Sequence, residues 1–305
     1  MANKQPLRVK TISEFHRLKG LPQPEHPLIS VIDYSTMNCS PEVEATSFVF
    51  DFYNIAIKRG INAKLKYGQQ EYDFNEGVMF FISPNQVFGI EPQNNTSKRT
   101  GWMLLIHPDF FWNTPLAKSI KSHEFFNYSV NEALFLSEKE ENILKQLIQN
   151  IQQEYLSNID VFSQNIIISQ IETLLQFSER FYQRQFITRK KANHQLLERL
   201  ENLVDDYFED ENLRSKGLPS VQFISDRLNV SPTYLRSLLK LLTGENTQQY
   251  IHNKLIEKAK EKLSVTDLSI SEIAFELGFE HSQSFSKLFK TKTNLSPLEF
   301  RQSFN

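Results

Sequence analysis

Cysteine is almost missing from this chain: Cys39 is the single one in 305 residues. One thiol cannot build an intrachain disulfide framework, and such usage suits a reducing compartment. An ordinary buried or surface thiol is the expected role for it, ahead of a nucleophile. Glycine is scarce as well, with 9 residues against 25 phenylalanines, a balance that fits packed cores rather than flexible tails. No stretch approaches the ~18 apolar residues that a membrane span requires. The opening "MANKQPLRVK" is basic but leads into no apolar segment, so it does not read as a secretory signal. A strong charge of either sign is also lacking. The formal net charge is -2 and the pI about 6.4, so any surface for a polyanion must be local. No Gly-rich phosphate loop and no Ser-His-Asp spacing is visible. What remains is a cytoplasmic chain without a membrane partner, long enough for two domains with real cores.

The local pattern changes along the chain. Up to about residue 115 it is β-like. "FVFDFYNIAI" (48–57), "AKLKYGQQEYDF" (63–74), "GVMFFIS" (77–83) and "GWMLLIH" (101–107) are rich in aromatic and β-branched residues. Turn signals separate them: "KRG" at 58–60, "NEG" at 75–77, "SPN" at 83–85 and "PQNN" at 92–95. Short strands with no helical period between them predict an antiparallel sandwich or barrel. From Ser137 the period becomes helical. Ser137 and Glu140 form a capping box, and Ile143, Leu144, Leu147, Ile148 and Ile151 make one stripe. A second helix over 162–186 carries Ile167, Ile171, Leu174 and Leu175. Two readings of this pair stay open: packing against each other and the β-domain, or a dimer seam. The polar, basic "ITRKKANHQ" (187–195) then marks a boundary, and everything after it reads helical.

That helical part repeats itself. "SVQFISDRLNVSPTYLRSLLKLLTG" (220–244) lies over "SISEIAFELGFEHSQSFSKLFKTKTN" (269–294). Ser220 meets Ser269, Ile224 meets Ile273 and Leu228 meets Leu277. After one inserted residue in the second turn, Leu235 meets Phe285, Leu239 meets Phe289 and Lys240 meets Lys290. The chain thus contains two helix-turn-helix units. Ser269 and Glu272 make a capping box, and Gly278 supplies the residue after the helix, where positive φ is cheap. Asn229 holds that place in the first copy, and Ser231-Pro232 opens its second helix.

Each second helix, about 231–243 and 281–292, is amphipathic. Leu235, Leu238, Leu239 and Leu242 form a stripe expected to be buried, with Thr233, Arg236, Ser237 and Lys240 opposite. In the other copy Phe285, Leu288 and Phe289 face inward, and Ser282, Gln283, Ser286, Lys287 and Lys290 outward. Most polar helix faces merely meet water. Duplication, together with small, amide and cationic side chains on one face, points instead to a major groove: Arg and Lys reach guanine, Gln pairs adenine, and Ser or Thr adapts. From Asn212 to Asn305 there are 13 Lys and Arg against 9 Asp and Glu, a local +4. "DDYFEDE" (205–211) just before is acidic and should face away from phosphates. Between the units, "NTQQYIHNKLIEKAKEKLS" (246–264) reads as one helix. At ~1.5 Å per residue it is a rod of ~27 Å, of the order of the ~34 Å between successive major grooves on one face of DNA.

These residues resemble the C-terminal domain of the AraC/XylS family of bacterial transcription regulators. The resemblance rests on Ile273-Ala274, Gly278-Phe279, "SFSKLFK" (284–290) and "SPLEFR" (296–301), and covers about 195–303. In the first unit it rests on Ser231, Leu235, Lys240, Thr243-Gly244 and Tyr250-Ile251. Ser225 departs from the family's small Ala, and Asn246 from its usual Ser or Thr cap. The resemblance implies double-stranded DNA as partner, with base contacts from Thr233, Arg236, Ser237, His281, Ser282, Gln283 and Lys287. His281 could equally cap its helix. Lys240, Asn246, Thr247 and Lys290 are implied as phosphate contacts, which position without specifying. A homodimer, contact with RNA polymerase, association with the nucleoid when bound, and a small-molecule effector are implied as well.

Upstream, "DFNEGVMFFISPNQVF" (73–88) is similar to a cupin segment. Metal-binding cupins use a His-x-His with a Glu at set spacing, and none of the seven histidines forms such a pair. No metal, no cofactor and no enzyme activity are therefore expected. His107, Trp102, Phe48, Phe50, Phe52 and Tyr67 could line a pocket inside a barrel, although core packing is the stronger reading for aromatics at alternating strand positions. The expected fold class is α+β: a cupin-like β-barrel over 1–136 that binds an effector, a helical dimerisation and linker pair over 137–187, and an all-α double helix-turn-helix domain over 188–305. The predicted function is sequence-specific transcription regulation. The alternatives are a metal-free cupin-type enzyme and an interaction protein with a vestigial DNA-binding module.

Overall fold

A computed structural model describes residues 6–37, 47–59, 66–67, 70–71, 77–89, 100–128, 132–157, 160–210 and 213–303. Cys39 and most of the 63–74 and 90–99 stretches lie outside these residues. The chain divides into two compact units, Met1–Thr188 and Arg189–Asn305.

The first unit is built on two sheets. β1 (Leu7–Val9) leads into α1 (Ile12–Leu18), then β2 (Ile29–Asp33), β3 (Ser47–Phe50) and β4 (Tyr53–Arg59). A short hairpin, β5 (Lys66–Tyr67) and β6 (Gln70–Glu71), precedes β7 (Gly77–Ile82), β8 (Val87–Gly89) and β9 (Thr100–Ile106). α2 (Leu116–Ser119) and β10 (Leu134–Leu136) follow, then the long helices α3 (Glu138–Leu156) and α4 (Ser163–Thr188). Strands β1-β3-β8 form one sheet and β10-β7-β4-β9-β2 another. Phe48 and Phe50 of the first meet Ile32, Ala56, Ile82, Met103 and Leu105 of the second in one aromatic-rich core.

Three expectations need correction. Among the described residues the sheets do not close into a barrel, and β1 pairs with β3 in parallel, so the architecture is not purely antiparallel. The run 48–57 is two strands in two different sheets, because the chain turns at Asp51-Phe52 and crosses the core. α1 interrupts the β-rich part, started by Thr11, whose side chain accepts from the Glu14 N–H. Its roughly two turns are too short for a periodic signal to stand out.

The α3–α4 pair folds onto the five-stranded sheet. Ser137 and Glu140 form the anticipated capping box. Leu144, Ile148 and Ile151 are buried, as are Ile167, Ile171, Leu174 and Leu175, whereas Ile143 turns outward. Polar bonds pin the pair down. Tyr155 Oη accepts from the Val31 N–H (2.9 Å), and Gln185 bridges the strand backbone at Phe135 and Ala133. Arg184 clasps Glu140 with two bonds of 3.0 and 2.6 Å. Packing on the sheet thus accounts for most of the apolar surface of both helices. Phe48, Phe50 and Phe52 stack in the core rather than line a pocket. His107 instead accepts from the Asp109 N–H (3.3 Å) at the start of a 3-10 turn. The Tyr67 side chain lies outside the described residues.

The second unit is helical throughout: α5 (Lys190–Glu209), α6 (Leu213–Lys216), α7 (Val221–Leu228), α8 (Pro232–Thr243), α9 (Thr247–Val265), α10 (Ile270–Glu276), α11 (Ser282–Thr293) and α12 (Pro297–Gln302). α9 packs against α5, α10 and α12, and forms the spine of the unit. No described helix of the chain is long and apolar enough to cross a membrane.

Candidate nucleic-acid interface

The two turns are built alike down to single hydrogen bonds. In the first copy Ser220 caps α7 by accepting from the Phe223 N–H (3.1 Å), and Asn229 takes the left-handed conformation at φ 56°. The Val230 N–H then bonds back to Ser225 O (3.0 Å). In the second, Ser269 and Glu272 cap α10 reciprocally, Gly278 sits at φ 84°, and the Phe279 N–H reaches Ala274 O (3.0 Å). These are helix ends of the Schellman type, which reverse the chain tightly enough to set one helix across the next. The hydrogen bonds from Ser269 hold the Glu272 carboxyl below its ordinary pKa.

What the repeat does not show is why the second copy uses glycine. A Cβ on Gly278 would lie 3.0 Å from the backbone carbon of Gly217, itself at φ 72° in the loop after α6. Tyr207 Oη donates to Gly217 O (3.0 Å) and secures that loop from α5. The glycine pair, 61 positions apart in sequence, is a close backbone approach that only the fold discloses.

The second helix of each copy buries one face. Leu235, Leu238 and Leu239 of α8 are fully enclosed, as are Phe285 and Phe289 of α11. Leu242 departs from the expected buried stripe: it is 39 % exposed, because it lies in the last turn, beyond the neighbours that cover the others. Leu288 is only partly buried.

On the opposite faces Arg236, Lys240, His281, Gln283, Lys287 and Lys290 are exposed, and Thr233, Ser237 and Ser282 half-buried. Ser237 Oγ donates to Thr233 O (3.0 Å), so its hydroxyl hydrogen is engaged within the helix. His281 occupies the N-cap of α11 but makes no capping hydrogen bond with its ring.

The start of α9 adjoins the first of these faces. Asn246 and Gln249 cap it reciprocally, each bond 2.9 Å long. Thr247 is 2 % exposed, which withdraws its side chain from the surface, and its Oγ1 has no partner among the described residues. Pro232, Thr233, Arg236, Asn246, Thr247 and Gln248 line a depression of about 230 Å³. Base-facing and phosphate-facing candidates of the first copy are therefore neighbours. Gln248, which lies 2.9 Å from His252 Nε2, was not legible as part of this group. Its only sequence signal is its place in the first turn after the Asn246 cap.

The acidic helix α5 is turned to other use. Lys254 of α9 pairs with Glu201 (2.8 Å) and lies 3.7 Å from Asp205, and Lys258 pairs with Glu209 (3.2 Å). The bond to Glu201 raises the Lys254 pKa. At the end of the unit, Ser296 and Glu299 cap α12, the Phe300 ring meets Phe289 edge-on at 5.4 Å, and Arg301 Nε donates to Leu263 O (3.3 Å). The "SPLEFR" segment thus closes the core behind α11.

Comparison with known proteins agrees with this geometry. A family model described as a helix-turn-helix domain matches residues 224–303. The HTH-type transcriptional activator RhaS of Enterobacter sp. (strain 638) is 25% identical over 259 residues, covering 83% of this chain and 86% of the relative. RhaS of Escherichia coli (strain K12 / DH10B) is 31% identical over 99 residues, 32% of this chain and 33% of that one. Among solved structures, the C-terminal domain of the two-component response regulator yesN from Fusobacterium nucleatum subsp. nucleatum ATCC 25586 is 30% identical. It covers 34% of this chain and 95% of that one, with a TM-score of 0.30.

Proposed function

We propose that the chain is a DNA-binding transcription regulator of the AraC/XylS type through its C-terminal unit, which matches a helix-turn-helix family model, and that it reads two successive major-groove segments with α8 and α11. The observation that supports this reading is the duplication itself: two helices, each with a buried apolar side, each presenting cations and hydroxyls on the other, joined in α11 by the Gln283 amide. A packing element would need one such face at most.

In this reading Thr233, Arg236 and Ser237 meet one base step, and His281, Ser282, Gln283 and Lys287 the other. Arg236 suits guanine O6 and N7, and Gln283 suits adenine N6 and N7. The Ser237 oxygen suits a cytosine amino group. Lys240 and Lys290 contact phosphates. Asn246 and Thr247 lie at the N-terminus of α9, whose leading N–H groups suit a phosphate. Thr247 contributes there through its backbone N–H. The active species is a homodimer that contacts RNA polymerase, and its β-rich unit answers to a small molecule.

The test is selection of duplexes from a random pool with the full-length protein at fixed salt. The expected outcome is a bipartite motif with halves one helical turn apart, present twice in tandem for the dimer. Retention without sequence enrichment, fading steeply with salt, would mean phosphate attraction alone and would sink the base-contact assignment.

A further inference from the structure

The first unit holds a cleft that DNA reading does not use. It has a volume of about 460 Å³ and lies on the face of the five-stranded sheet that turns away from the aromatic core. That volume falls in the range of small-molecule sites. Strand register places Asp33, Trp102 and Ile57 in one row across β2, β9 and β4, with Thr100 and Arg59 in a neighbouring row on the same face. α3 forms the facing wall with Glu138, Glu141 and Lys145.

Three features mark the cleft as more than a seam. The Trp102 residue is 8 % exposed, and its Nε1 is buried with no partner among the described residues. A buried indole N–H without an acceptor is rare in a native fold, and a ligand oxygen would satisfy it. Arg59 is held in place through Nε, which donates to Glu141 Oε2 (2.8 Å), so the two amino ends of its fork are not engaged by that bond. Glu141 is itself buried against Gly77, where a Cβ would collide with its carboxylate. Its charge is thus spent on orienting Arg59. Beside Trp102 in the same row, Asp33 accepts from the Ser35 N–H (2.7 Å) with one oxygen.

Charge decides the class of ligand. A simple anion would meet Asp33 and Glu138, a simple cation would meet Arg59 and Lys145, and a neutral polyol would answer neither sign. We propose that this cleft binds a zwitterion of amino-acid size, its carboxylate on Trp102 Nε1–H, Arg59 and the Lys145 ammonium of the facing wall, its ammonium on Asp33. Because α3 is one wall and packs along α4, occupancy braces that helix pair.

The protein has a convenient reporter. Its two tryptophans are Trp102 and Trp112, and Trp112 is 79 % exposed, so full-length Trp112→Phe leaves Trp102 as the sole indole fluorophore. Each common amino acid is titrated into this variant, alongside the corresponding α-hydroxy acid and the amine lacking a carboxylate. A saturable change in Trp102 emission is expected for one or a few amino acids, with the two analogues at least tenfold weaker. Asp33→Asn and Lys145→Gln, both at exposed positions, should each weaken binding about tenfold while melting like the parent without ligand. No saturable response to any amino acid would overturn the proposal. So would a response that the hydroxy acid matches, or one that both substitutions leave unchanged. None of these readouts depends on DNA, so their failure is separable from failure of the regulator reading.

Discussion

The two helix-turn-helix copies solve one problem with different residues. Both reverse the chain through a left-handed residue and a bond from the N–H of the very next residue back to the preceding helix. The first copy spends Asn229 there and starts α8 with a serine cap and a proline. The second spends Gly278, pressed against Gly217, and starts α11 from His281 without a side-chain cap. The difference teaches that the turn geometry is general, while the residue that makes it depends on what lies behind. Asn229 has room for a side chain. Gly278 has another backbone at van der Waals distance.

Substitution at the two turns should separate the copies most. Gly278→Ala forces a Cβ into both a left-handed φ and the Gly217 backbone, and should destabilise the C-terminal unit by about 2 kcal/mol or more. Asn229→Ala adds no atom at the turn and should cost less, about 1 kcal/mol, and Asn229→Gly less again. Chemical denaturation of the three variants checks the order; equal losses at both turns would remove the role given to Gly217.

A second pair concerns binding. Arg236→Ala should lose ~1–3 kcal/mol at a selected site and relax preference at one base step. Lys290→Ala should weaken all sequences alike and flatten the salt dependence. Competition binding at two salt concentrations distinguishes them, and a uniform loss for Arg236→Ala would move it to the phosphate contacts. The caps come next. Ser231→Ala removes the acceptor for the Tyr234 N–H and should cost ~1 kcal/mol, whereas His281→Ala should leave the melting temperature unchanged while altering affinity for DNA. A stability loss at His281 would return it to a structural role.

The smallest effect is a pH dependence near α9. Burial, and then the nearby Lys292 ammonium, depress the His252 pKa below 6.5. The unfolded chain therefore takes up this proton before the folded one does. Its contribution to stability is complete above the unfolded value and is lost as pH falls from there through the folded pKa. His252→Gln should make the melting temperature of the C-terminal unit less sensitive to acid across that window. An unchanged slope would place the acid response in other groups.

Legibility in the sequence differed between the units for a physical reason. Caps, left-handed turn residues and apolar stripes act over three to seven positions, so Ser137, Asn229, Ser231, Ser269 and Gly278 could be read directly, and the structure uses each as expected. Leu242 misled because periodicity says which face a residue is on but not how far the neighbouring helices extend. In the β-rich unit the same kind of reading ran 48–57 together as one strand, since nothing local announces that Asp51-Phe52 carries the chain from one sheet to the other. The acidic α5 was legible as a helix unsuited to phosphates, but its partners Lys254 and Lys258, some fifty residues away, were not.

The sequence by itself determined the helices of the C-terminal unit, their ends, their duplication and the residues on their outer faces, because all of these follow from short-range backbone chemistry. Only the tertiary structure decided which glycines touch, that the α9 terminus lies beside Arg236, that Phe48, Phe50 and Phe52 fill a core, and that Trp102 faces a charged cleft. Those outcomes depend on strand register and long-range packing, where a side chain's role is set by residues far away in the chain.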